Sequence, residues 1–236
     1  MRNKKFVINK NNSRTAKVLN LIGNLFFCVC IVIGAALIIF SSVTIECVVM
    51  GSSMSPTLNK DVKNGSDVVY VNEYKRDFKF GEIIVVNIAD KDPIIKRVIG
   101  VAGDVIDIVY LENDGYKLEI NGKLISEDYL RLDYEIESPE LQNGMDVVYI
   151  NFHSYLKSAF PELFNSDNKL VVPDGQIFAL GDNRHDSKDS TYYGTFKKED
   201  IMGTVELTRK AKESEFVFYY EYIMDGKFFT TIANCF

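Results

Sequence analysis

IIKRVIGV, residues 94–101, leads through a Gly-Asp turn into GDVIDIVYL, residues 103–111. Both runs are short, rich in β-branched residues and bounded by turn formers, which predicts two strands. The same pattern spreads outward. DVVYVN (67–72) and GEIIVVNI (81–88) precede the pair, and YKLEINGKLI (116–125) follows it. The last of these carries Asn121-Gly122, the dipeptide that favours the positive φ angles of a type I′ hairpin. Strand character returns in LVVPDGQIFALGD (170–182), and EFVFYYEYIMDGKFFTTI (215–232) reads as a hairpin turning at Asp225-Gly226. Ser126 to Lys169 is irregular, with LKSAFPELF (156–164) as a short helix broken at Pro161. These runs predict a mainly β fold of antiparallel sheets, with an inserted segment at about 126–169.

The N-terminal part is of another kind. Arg2, Lys4, Lys5, Lys10, Arg14 and Lys17 precede LNLIGNLFFCVCIVIGAALIIF (19–40), and no acid occurs before Glu46. A helix rising ~1.5 Å per residue over this run spans a ~30 Å hydrocarbon core. The apolar region of a cleaved signal peptide is usually ~7–15 residues, so length and flanks favour an uncleaved anchor. The expected organisation is a cytoplasmic basic stretch at 1–17, a transmembrane anchor at 18–41 and an extracytoplasmic β domain at 42–236, oriented by the positive-inside rule.

The chain has 27 basic and 33 acidic side chains, a net charge of −6. With six bases confined to the first 17 residues, the remainder holds 21 against 33 and stands at −12. A surface so acidic does not suit phosphate contacts, so no nucleic-acid partner is expected. Cys47 and Cys235 lie outside the apolar run, as a bridge or as two free thiols. There is no CxxC, and the only histidines are His153 and His185, so neither a metal nor another cofactor is expected.

Three stretches could carry chemistry. GSSMSPTL (51–58) offers hydroxyls, but a hydroxyl needs a base. Two isolated histidines give little support for a Ser-His-Asp triad. A lysine is charged at its reference pKa of ~10.4 and becomes a base only when burial disfavours its charge. Lys96 sits among Ile94, Ile95, Val98 and Ile99, and strand alternation sends Lys96 and Arg97 to opposite faces. One then points inward while the other stays in water; the plainer reading is an edge strand guarded by two charges. GDNRHDSKDSTYYG (181–194) is dense in hydrogen-bonding residues, and by itself reads as an ordinary polar loop.

Together the three resemble the bacterial type I signal peptidases, membrane-bound Ser-Lys proteases that remove signal peptides from exported proteins. The pattern Gly-x-Ser-Met-x-Pro-Thr-Leu is met by Gly51, Ser53, Met54, Pro56, Thr57 and Leu58. Lys-Arg-Val-Ile-Gly is met by Lys96 to Gly100, with Gly103 and Asp104 following. Gly-Asp-Asn-Arg-x-x-Ser-x-Asp-Ser is met by Gly181, Asp182, Asn183, Arg184, Ser187, Asp189 and Ser190. The resemblance covers roughly residues 17–125 and 170–205. It implies a signal-peptidase-like fold, shared with LexA-like self-cleaving repressors. It also implies Ser53 as nucleophile and Lys96 as neutral general base, with Ser187 hydrogen-bonded to the lysine amine. Asp189 and Arg184 would pair to hold their loop, Met54 would floor the pocket for a small side chain, and the Ser53 N–H would serve the oxyanion. The implied substrates are signal peptides of secreted preproteins, cut after small residues of the Ala-x-Ala type. The implied surroundings are the lipid bilayer and the secretion translocase.

Two positions depart from the pattern. Gly51 stands where some relatives carry a hydroxyl donor, which leaves Ser52 as a candidate second donor. Thr191 stands where an Arg often follows Asp-Ser. A self-cleaving repressor, a non-enzymatic assembly chaperone of the family and an anchored binding domain are the rival readings. The acidic body and apolar helix oppose the first, and Ser53 with Lys96 opposes the second. The combined motifs oppose the third. Ser53 follows Phe40 by thirteen residues, which at ~3.3–3.6 Å each keeps it within ~47 Å of the apolar run.

Overall fold

A computed structural model describes residues 10–59, 66–112, 115–130, 144–210, 217–224 and 227–234. The chain divides into two compact units, residues 1–44 and 45–236. The first holds α1 (Lys10–Val43). Within it Thr15–Val43, 29 residues whose most apolar 18-residue window has a mean hydropathy of 2.7, is long and apolar enough to cross a membrane. The hydroxyls of Ser41, Ser42 and Thr44 donate back to the carbonyls of Ile38, Ile39 and Phe40, which occupies acceptors a helix end leaves open.

The second unit is mainly antiparallel β. In chain order the strands are β1 (Thr44–Val48), β2 (Val68–Asn72), β3 (Ile83–Val86), β4 (Ile94–Val101), β5 (Val105–Leu111), β6 (Gly115–Ile120), β7 (Lys123–Leu124), β8 (Leu170–Val171), β9 (Gln176–Leu180), β10 (Phe196–Lys197), β11 (Ile201–Arg209), β12 (Val217–Met224) and β13 (Lys227–Asn234). Among the described residues one sheet runs β1-β2-β11-β3-β4-β9-β10, with β12 on β11 and β13 on β12. A second sheet runs β7-β6-β5-β8. Asn121 and Gly122 have φ of 52° and 75°, as the hairpin between β6 and β7 requires. The turn expected at Asp225-Gly226 lies outside the described residues, although β12 and β13 pair on either side of it.

The strand guarded by two charges is not at an edge. β4 bonds to β3 on one side and β9 on the other. Alternation holds, but neither charge reaches water: Lys96 is 2% and Arg97 0% exposed. An inner strand has protein on both faces, so the outward residue needs a partner in place of solvent.

The insert begins with a turn in which the Leu130 N–H donates to the Glu127 carbonyl at 2.9 Å, and its later part is more helical than expected. α2 (Gly144–Ile150) continues into a π-helical turn at Asn151–Leu156 and α3 (Lys157–Ala159). Pro161 ends this run and opens a 3₁₀ turn, a position where its missing N–H costs nothing. Phe152, Leu156 and Leu163 pack with Ile106, Ile108, Leu118, Phe178 and Leu180, so the insert completes the core of the second sheet. Cys47 is a free thiol, and Cys235 lies outside the described residues.

Candidate active site

The serine loop between β1 and β2 is pinned from below. Met54 and Leu58, each 1% exposed, pack with Val49, Val69, Val71, Ile83, Val85 and Ile95. Asn59 closes the loop: its amide nitrogen donates to the Val49 and Gly51 carbonyls at 2.8 and 3.0 Å. Asn59 and Asp67 also bond reciprocally, each backbone N–H donating to the other's side chain at 2.8 and 2.7 Å. Lys210 pairs with Asp67 at 2.9 Å. Gly51 has φ +81°, a left-handed conformation unfavourable for a residue with a side chain. The Ser52 hydroxyl is directed to the Asp186 carboxylate at 3.4 Å.

β4 delivers the lysine to this loop. The Lys96 Nζ donates to Ser53 Oγ at 2.7 Å and to the Ile95 carbonyl at 2.7 Å. Burial lowers its pKa to about 8, against the opposing pull of Asp189 and Asp182. On the other face Arg97 grips Asp182 with two bonds of 2.8 and 2.6 Å and donates to the Gly81 carbonyl at 2.7 Å. Both side chains of this pair are fully buried, and such a pair holds its geometry because losing either partner strands a charge.

Asp182 opens the loop after β9, and that loop clamps the serine. Asn183 N–H donates to the Ser53 carbonyl at 3.0 Å, and its side-chain amide donates to the Ser52 carbonyl at 3.2 Å. A Cβ at Gly181 would collide with the Ser187 Oγ and the Ser53 carbonyl oxygen, so glycine alone permits this approach. Ser187 is therefore at the site, but the bond expected from it to the lysine amine is not made. Its Oγ is buried with no hydrogen-bond partner, and the Ile95 carbonyl takes the amine instead.

Asp189 and Arg184 do not pair. The Asp189 carboxylate is occupied by the Gly181 N–H and by the Thr191 N–H and hydroxyl, at 2.9 to 3.0 Å. Thr191 thus supplies two of the three donors to this carboxylate. Arg184 pairs with Glu127 at 2.6 Å and donates to the Gly181 carbonyl at 3.0 Å. Sequence reasoning missed Glu127, Asn59 and Asp67. Glu127 stands in an irregular acidic stretch without signal, while Asn59 and Asp67 follow the matched motif within nine residues. Met54 lies in the core beneath the loop. Ser53 Oγ meets a lysine and not a histidine, and His153 packs instead on Tyr149 and Phe152.

The profile of the family described as signal peptidase, peptidase S26 matches residues 22–209. Signal peptidase I S of Bacillus subtilis (strain 168) is 34% identical over 188 residues, 78% of this chain and 82% of its own. Signal peptidase IB of Staphylococcus aureus (strain N315) is 33% identical over 162 residues, 67% of this chain and 74% of its own. The crystal structure of a signal peptidase I from Enterococcus faecalis V583 is 27% identical and covers 55% of this chain and 97% of its own, at a TM-score of 0.38. The chain belongs to the signal peptidase family, peptidase S26. Its activity is that of a serine-type signal peptidase.

Proposed function

We propose that Ser53 is the nucleophile and Lys96 the general base of a membrane-anchored peptidase that cuts preproteins after small residues. The contact of 2.7 Å between Lys96 Nζ and Ser53 Oγ carries this reading. An amine with its pKa near 8 is neutral often enough to serve as a base near physiological pH. Neutral Lys96 takes the Ser53 proton as Oγ bonds to the scissile carbonyl carbon. The resulting ammonium returns that proton to the leaving amine as the C–N bond breaks. Water then attacks the acyl-serine with Lys96 again as base, which releases the signal peptide carboxylate and restores Ser53.

The Ser53 N–H is the proposed oxyanion donor. One such donor is typically worth ~10²–10³ in rate. The substrate binds as an extended strand, and small pockets before the cut set the Ala-x-Ala preference; Met54, in the core beneath the serine loop, supports the floor of one of them from below. Ser187 and Asp189 support the lysine environment, and Asp182, Asn183 and Arg184 hold the loop. Ser52 is less suited to the oxyanion, since its hydroxyl is directed to Asp186. In this reading α1 is the anchor, with residues 1–17 cytoplasmic and the catalytic unit outside beside the lipid and the secretion translocase.

Ser53→Ala and Lys96→Ala are each expected to abolish cleavage of a preprotein in detergent without changing the melting temperature by more than a few degrees. Normal cleavage by either folded variant would sink the dyad.

A further inference from the structure

The start of the insert touches both arginines that lie beside the site. Glu127 accepts from two Arg184 nitrogens at 2.6 and 3.2 Å. Their side chains are only 9% and 3% exposed. The Tyr129 hydroxyl donates to the same carboxylate at 2.6 Å, and its ring lies 4.1 Å beneath the Arg97 guanidinium. Arg184 Nη2 also reaches the Tyr129 oxygen at 3.3 Å. Burial, ahead of the Glu127 charge, pushes the Tyr129 phenol well up, so it remains a donor.

These contacts converge on one loop. Arg184 holds the Gly181 carbonyl, Arg97 holds Asp182, and Asn183 between them grips the Ser52 and Ser53 carbonyls. We infer that Glu127 and Tyr129 are positioning residues: a strap at the start of the insert that fixes the Gly181–Arg184 loop and, through it, the placement of Ser53 against Lys96. This rests on the dyad proposed above. Neither strap residue touches Ser53 or Lys96, so both act through the arginines.

Loosening the strap has two consequences that plain destabilisation lacks. Ser53 drifts from Lys96, and a misplacement of about 1 Å can cost about a hundredfold in rate. Water also reaches Lys96, which bonds to Ser53 and feels the charges of Asp189 and Asp182, and its pKa climbs back toward that of a free lysine.

The test uses the full chain in detergent with a preprotein, and rates per folded molecule counted by thermal-melt amplitude. Glu127→Gln is expected to lower kcat about tenfold to a hundredfold with KM within twofold. The midpoint of its pH–rate profile should move up, and Glu127→Asp should recover part of the loss. If Glu127→Gln does not fold, Tyr129→Phe, which keeps the ring, should lower kcat about tenfold with the same upward move. A wild-type kcat and pH midpoint per folded molecule, with only a lower melting temperature, would overturn the strap. Ser53→Ala measured alongside separates the two readings. If it is inactive while the strap variants match wild type, the strap alone fails; if it cleaves normally, the dyad fails and the strap with it.

Discussion

At Lys96 the fold disfavours the ammonium form. Burial carries the pKa from 10.5 to about 8 although Asp189 and Asp182 pull the other way. The cleavage rate should therefore rise tenfold per pH unit below about pH 8 and level off above it, with about a tenth of the full rate at pH 7. A rate flat between pH 6 and 9 would remove lysine as the base. The same shift sets a stability trend. The folded pKa lies below the unfolded one, so between about pH 8 and ~10.4 the unfolded chain binds more protons and stability rises with pH. Below that window both states are charged and the full burial cost, about 3 kcal/mol, is present. Lys96→Met should be more stable than wild type at pH 7 in urea melts, and it should lose the gain between pH 8 and 10.

β4 and the loop after β9 act as one device. The strand sends Lys96 to one face and Arg97 to the other, and Arg97 secures the loop through Asp182. Gly181 is the tightest point of that loop, because the Ser187 side chain and the Ser53 carbonyl occupy the space of a Cβ. Gly181→Ala should cost about a hundredfold in cleavage by displacing Ser53; a rate within threefold of wild type would show that the loop can yield. β4 was readable because its β-branched run matches a strand and its lysine a base. The family resemblance implies a pair between Arg184 and Asp189, five residues apart, yet the Gly181 and Thr191 donors occupy that carboxylate, and Arg184 pairs with Glu127, 57 residues away, which no motif names. β11 went unrecognised although it joins β2 to β3. It buries Thr204 and Thr208, so no clean alternation of apolar and polar residues marks it.

At the scale of the molecule, an apolar helix and a β unit divide the chain at residue 44. In the anchored reading proposed above, enzyme and substrate would share one bilayer and their encounter would be effectively intramolecular, a gain of ~10²–10⁴ without any new contact. Removing residues 1–44 should leave cleavage of a soluble peptide unchanged and slow cleavage of a vesicle-embedded preprotein by at least tenfold. Equal loss on both substrates would assign the helix to folding of the catalytic unit rather than to encounter. The contrast of charge, basic at 1–17 and −12 beyond, belongs to this scale too and was legible directly in the sequence. The sequence did not show that the insert reaches the loop at Arg184, because Glu127 and Arg184 lie 57 residues apart and no local pattern links them.

The side-chain amide of Asn183 holds the Ser52 oxygen from 131 residues away. A peptide group is planar, and in its trans form the oxygen and the following hydrogen point in opposite directions. To fix one end is to aim the other. The Ser55 N–H donates to the same oxygen at 2.9 Å, so the Ser53 hydrogen is oriented from two sides before any substrate arrives. In the oxyanion role proposed above, that N–H would have no dipole to turn as negative charge forms, and contacts behind the serine would set the field in front of it.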